Sequence, residues 1–171
     1  MVSRMFARAV PADNGGVNLD RIENELRSAA SSLADGDPAA MRKLVAVVWP
    51  GIVRYCRARI GADARGWRYA DAVAVKSCEA VAQQLIHRHH SRKPLTQFVY
   101  RTTARIVDAE NPLPPNDFAA LEPRTRDVMI LRVVEGMATD DVATVLGIPR
   151  ARVQLLQHQA LVQLSPQAAA G

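Results

Sequence analysis

The chain has 171 residues, 49% of them hydrophobic, and a formal net charge of +5 at pH 7, enough apolar material to exclude disorder throughout and to fill one core or two small ones. Two cysteines exclude a disulfide framework; Cys56 and Cys78 lie in apolar-periodic segments and read as buried free thiols of a reducing compartment. The opening "MVSRMFARAVPADNGGVN" lacks an apolar stretch of signal-peptide length, and nothing later approaches the roughly 18 apolar residues of a membrane span, so a soluble cytoplasmic protein with no membrane partner is expected.

Period-2 alternation of β-branched residues is absent and helical periodicity runs along the chain, which predicts an all-α fold. Residues 1–18 are expected to be disordered. A first helix is predicted over 19–34, closed by "DGDP", where Asp37 can cap and Pro38 can open the next helix at its first position. The second helix then runs to about Ile60, with Leu44, Val47, Val48, Ile52, Tyr55 and Cys56 forming one apolar stripe that needs a partner. A third covers about 67–87, with Val73, Cys78, Val81 and Leu85 inward. "HRHHSRKP" interrupts, and Pro94 starts a fourth through about Ala109. The three prolines of "NPLPPN", residues 111–116, lack donors and restrict their predecessors, which makes this stretch a linker. A helix over about 118–134, a break at Gly136 and a helix-turn-helix over 139–164 follow, and 165–171 is expected to be a disordered tail. The predicted organisation is two small helical domains, 19–110 and 117–164.

Charge is unevenly spread. Residues 1–40 carry 4 Lys/Arg against 6 Asp/Glu, residues 41–108 carry 13 against 4, and residues 109–171 carry 5 against 7. The central excess of +9 is the electrostatic footprint of a polyanion partner. His87, His89 and His90 share one loop that supplies no fourth ligand at finger-like spacing, so no metal site is expected. No Ser/His/Asp set, phosphate loop or carboxylate pair has catalytic spacing, and neither an enzyme, a small-molecule substrate nor a cofactor is expected.

The segment "LEPRTRDVMILRVVEGMATDDVATVLGIPRARVQLLQHQAL", with Leu131, Arg132, Glu135, Gly136, Ala143, Leu146, Gly147, Ile148 and Val153, resembles region 4 of the extracytoplasmic-function (ECF) branch of the bacterial sigma-70 family. Upstream, "GDPAAMRKLVAVVWPGIVRYCRARIG" and "KPLTQFVYRTTARIVDA" resemble its region 2 helices. The resemblance implies a sigma factor acting in transcription initiation. Region 2 would dock on core RNA polymerase and open the −10 promoter element, region 4 would read the −35 element, and an anti-sigma factor is a further possible partner.

By that resemblance the polymerase-docking residues are Asp71, Val75 and Lys76. Asp71 keeps the family's acidic character, while Ala72, Val75 and Lys76 replace Asp, Gln and Glu, and Lys76 reverses a charge in an interface built on opposite charges. The −10-like set is Arg88, Arg92 and Lys93 in the loop with Phe98, Tyr100, Arg101 and Arg105 on the next helix, where aromatics can stack on bases and guanidiniums can meet phosphates. In the helix-turn-helix the DNA-facing candidates are Arg150, Arg152, Gln154 and His158. With Val153 at 0° and about 100° per residue, Gln157, Ala160 and Leu164 fall on the core side and Leu155 and Val162 opposite. Gln154, Leu156 and Gln159 stand where relatives carry Lys or Arg, so phosphate neutralisation, which dominates affinity, is depleted. Exposed Leu155 and Val162 would suit a protein contact instead. The linker region, residues 109–116, spans at most about 30 Å, less than the 34 to 36 Å of one DNA turn. The expected function is an ECF sigma factor in promoter recognition. The alternative is a sigma-derived regulator of polymerase or of an anti-sigma factor that acts through a protein-binding region 4.

Overall fold

The computed structural model describes residues 17–61, 64–110, 118 and 120–165, apart from the side chains of 64–66. The predicted linker and the predicted termini, Val17, Asn18 and Ser165 apart, lie outside the described residues. Every regular element among these is helical, and no described helix is long and apolar enough to cross a membrane.

Helix α1, Leu19–Ala34, starts at Asn18, whose side chain accepts the Arg21 N–H at 2.9 Å, satisfying one of the free donors of the first turn. It ends before Gly36, at φ 79°. Asp37 accepts the Ala39 N–H at 2.8 Å, and helix α2 begins two residues later than expected, spanning Ala40–Ile60; Pro38 sits in the turn rather than at the first helical position. Leu44, Val48, Ile52, Tyr55 and Cys56 are buried as predicted, while Val47 lies at the edge of the core. Their partner is α3, Ala64–Leu85, which turns Val73, Cys78, Val81 and Leu85 inward. Cys56 and Cys78 are free.

Helix α4, Leu95–Ala109, has no side-chain cap of its own. Glu23 of α1 supplies one: its carboxylate accepts the Leu95 and Thr96 N–H groups at 2.8 and 2.9 Å. Arg27, one turn further along α1, pairs with Glu23 at 2.7 Å and donates to the carbonyls of Ser91 and Lys93. The first helix therefore fixes both the start of α4 and the loop before it.

The next helix is shorter than predicted. Pro123 occupies the first turn of α5, Pro123–Met129, where its missing N–H costs nothing, and the chain then widens into a π turn over Ile130–Val134. The Glu135 N–H donates to the Ile130 carbonyl and the Met137 N–H to that of Leu131, on either side of Gly136, whose φ of 67° breaks the helix. The wide turn buries Ile130 and Leu131 and delivers Glu135 to α2. Helices α6, Thr139–Leu146, and α7, Arg150–Leu164, are joined through Gly147, left-handed at φ 64°.

Two main apolar clusters result, one centred on α2, α3 and α4 and one on the turns around Leu131, Val142 and Val153. They are not insulated. Ile130 belongs to the first, Leu19 to the second, and Tyr100 packs against both.

Candidate nucleic-acid interface

The loop 88–94 and the exposed face of α4 enclose a depression of about 270 Å³ whose lining includes Arg88, Lys93, Phe98, Arg101 and Arg105. Three of these share a helical face, because Phe98, Arg101 and Arg105 are spaced by three and four. The Arg88 guanidinium lies 4.3 Å from the Phe98 ring centroid, a cation–π contact that holds the ring between a positive cap and the core it partly packs against. Four cations around one half-exposed aromatic can neutralise phosphates while an unpaired base stacks on the ring.

Two residues of the predicted set fall elsewhere. Arg92 is exposed but does not line the depression. Tyr100 lies about 200° around α4 from Phe98 and points into the seam with α2 and Glu135. Its ring meets Tyr55 edge-on at 6.0 Å, and a Cβ on Gly51 would come within 2.9 Å of its hydroxyl. Burial, with Glu135 beside it, pushes the Tyr100 hydroxyl pKa well up. Tyr100 is a packing residue, not a stacking platform, and the helical period of α4 already separated it from Phe98. The His89 and His90 rings lie 3.8 Å apart, and His89 Nδ1 is 2.9 Å from the Ile86 carbonyl. No group of three or more His, Cys, Asp or Glu able to hold a metal occurs among the described residues.

Of the residues expected to dock, Asp71 and Lys76 are already engaged within the chain. Arg57 donates to both Asp71 oxygens at 2.7 and 2.8 Å and lies 5.6 Å from the ring centroid of the exposed Trp67; the hydrogen bonds from Arg57 hold the Asp71 carboxyl below its ordinary range. Lys76 pairs with Glu110 at 2.8 Å, and the Tyr69 hydroxyl donates to the Glu110 backbone at 3.0 Å. Lys76 thus ties α3 to the end of α4. Val75 is exposed, and Trp67, which composition alone would have assigned to the core, shares its face with Asp71 and Val75 at spacings of four.

On α7, Arg150, Arg152, Gln154 and His158 are all exposed. Arg150 pairs with Asp140 at 2.7 Å. Val153, Leu156 and Ala160 form the buried edge, so Leu156 is a core residue and its apolar character removes no phosphate contact. Gln157, placed on the core side by its angle, is half-buried and accepts from Arg132 at 3.3 Å, and Leu164 packs beside Leu121 and Met129. Leu155 and Val162 are 44% and 56% exposed as expected, and Leu161, at 47%, joins them.

Residues 118–165 match the family described as sigma-70, region 4. This segment is a sigma-70 region 4 domain. Across a wider span the chain is homologous to ECF sigma factors. It is 26% identical over 163 residues to the ECF RNA polymerase sigma factor SigD of Mycobacterium tuberculosis, covering 75% of this chain and 77% of that one. It is 25% identical over 170 residues to the ECF RNA polymerase sigma factor ShbA of Streptomyces griseus, covering 76% and 88%. Its fold matches the structure of CnrH in complex with the cytosolic domain of CnrY at a TM-score of 0.66 and 20% identity, over 84% of this chain and 97% of that one. Region 4 thus comprises α5, the π turn, α6 and α7, and the basic depression lies outside it, on the segment that precedes it.

Proposed function

We propose that the chain is an ECF-type sigma factor that binds core RNA polymerase and promoter DNA without catalysing a reaction, in the cytoplasm. The observation that carries this is the depression around Phe98: a half-exposed aromatic ringed by Arg88, Lys93, Arg101 and Arg105 is built for an extruded base and its flanking phosphates. Arg92 would extend the phosphate track from the same loop. Residues 19–110 and 117–164 would act as the two functional domains, linked by 111–116.

Region 4 contributes less charge. Arg152, Gln154 and His158 are presented to solvent, Arg150 after exchanging Asp140 for a phosphate, and Gln154 could read an adenine edge. Two arginines neutralise about two phosphates, so −35 contact would be weak by itself and useful once polymerase tethers the chain. Polymerase would be met by the face bearing Trp67, Asp71 and Val75, an exposed aromatic flanked by an acidic and an apolar side chain. The complex of CnrH with the cytosolic domain of CnrY makes an anti-sigma partner reasonable, and the exposed Leu155, Leu161 and Val162 offer an apolar surface for one. The alternative, a regulator that has abandoned promoter reading, has less support, because the homology runs to sigma factors along three quarters of the chain. Titration with purified core polymerase tests the function: a stoichiometric complex that initiates transcription on a promoter-bearing template is expected, and a complex inert on every template would favour the regulator.

A further inference from the structure

The C-terminal half carries two carboxylates that face the N-terminal half, Glu135 buried and Asp127 partly buried. The Glu135 side chain, 1% exposed, takes a 2.7 Å ion pair and further hydrogen bonds from Arg54 of α2. Asp127 on α5 accepts from the Tyr55 hydroxyl at 2.6 Å and from the buried Arg59 at 3.0 Å. Arg59 also pairs with Asp108, yet its Nε has no partner among the described residues. Buried ion pairs nearly balance their desolvation cost and serve better as switches than as glue, so a seam that depends on them is reversible.

The turn of the helix-turn-helix rests on the same half. Gln97 of α4 donates to the Thr144 carbonyl at 3.5 Å, and a Cβ on Gly147 would run into its side-chain amide. Gln97 also lines the basic depression. The start of α7, three residues beyond Gly147, therefore lies beside that depression, and two DNA elements a helical turn or more apart, at least 34 to 36 Å, cannot both reach surfaces that adjoin.

We propose that the chain holds itself in a closed, inhibited arrangement in which Asp127 and Glu135 clamp region 4 onto Tyr55, Arg59 and Arg54, and that engagement with polymerase requires this clamp to release. The inhibition rests on the sigma function proposed above; the clamp does not.

The test places nitroxide labels at Glu79→Cys on α3 and Gln159→Cys on α7, both exposed, in the full chain. The native Cys56 and Cys78 are buried and compete poorly for label. Pulsed electron-electron distances should give one narrow, dominant population. Arg54→Glu with Asp127→Asn should lengthen and broaden it while the far-ultraviolet helical signal stays constant. Arg54→Glu alone changes a half-exposed side chain and should move the distance part of the way, so a failure of the double variant to fold leaves a second reading. Distances unchanged by Arg54→Glu, or already broad without any clamp substitution, would overturn the clamp. If the open form is about a tenth populated, the opened variant should bind purified core polymerase about tenfold more tightly, with oligothymidylate binding at the depression unchanged. Longer distances with no gain for polymerase would overturn the inhibition and leave the clamp standing. No polymerase binding by either chain would count against the sigma function, and the distances would still decide the clamp.

Discussion

Single side chains carry most of the proposed chemistry. Phe98 is the stacking surface, and Phe98→Ala should weaken single-stranded DNA binding by about 1 to 3 kcal/mol, measured by fluorescence anisotropy with a labelled oligonucleotide. Tyr100→Phe, at the residue the depression does not use, should leave that affinity unchanged. Lys76 makes a different kind of prediction. Its hydrogen bond, followed by that of Tyr69, holds the Glu110 carboxyl below the ordinary 4.5. The pair therefore favours the folded chain above that ordinary value and loses its effect as the pH falls through the depressed one. In Lys76→Gln the Glu110 titration should move back up toward 4.5, read by side-chain carboxyl resonances. Lys76→Glu would set two carboxylates against each other, so any gain at an interface of opposite charge must first offset an internal repulsion.

At the scale of elements, the helices were legible because their apolar stripes recur at three and four: Leu44 through Cys56 on α2 and Val73 through Leu85 on α3 are buried as periodicity dictates. What the period could not announce is where the backbone leaves it. The π turn at Ile130–Val134 is made of residues that would suit an ordinary helix, and only the tertiary position of Glu135 against Arg54 distinguishes it. Glu23 as the cap of α4 was equally hidden, since a residue 72 positions away supplies it. Glu23→Ala should cost about 1 to 2 kcal/mol of stability by chemical denaturation. It should also weaken single-strand binding, because it frees the loop carrying Arg88 and Lys93. Gly51→Ala should destabilise by about 1 to 3 kcal/mol, as the added methyl meets the Tyr100 hydroxyl at 2.9 Å.

For the whole molecule, the uneven charge points to a polyanion partner, and the cations of the depression all come from the basic central block. The seam was not foretold. Tyr55 and Arg59 read as parts of an apolar stripe and of a basic block, and nothing local marks Asp127 as their partner. Burial outweighs pairing for both seam carboxyls and raises Asp127 and Glu135 above their ordinary values. Their contribution to closure is then fully present at and below the ordinary carboxylate range and declines as the pH rises through the raised values.

The most direct test of the nucleic-acid function is the salt dependence of oligothymidylate binding by the full chain. Log affinity should fall linearly with log salt at about −0.7 per neutralised phosphate, and Arg101→Ala with Arg105→Ala should flatten that slope by about 1.4 units. A slope unchanged by the loss of both arginines would place the polyanion elsewhere on the molecule and contradict the assignment of the Phe98 depression as the strand-binding site.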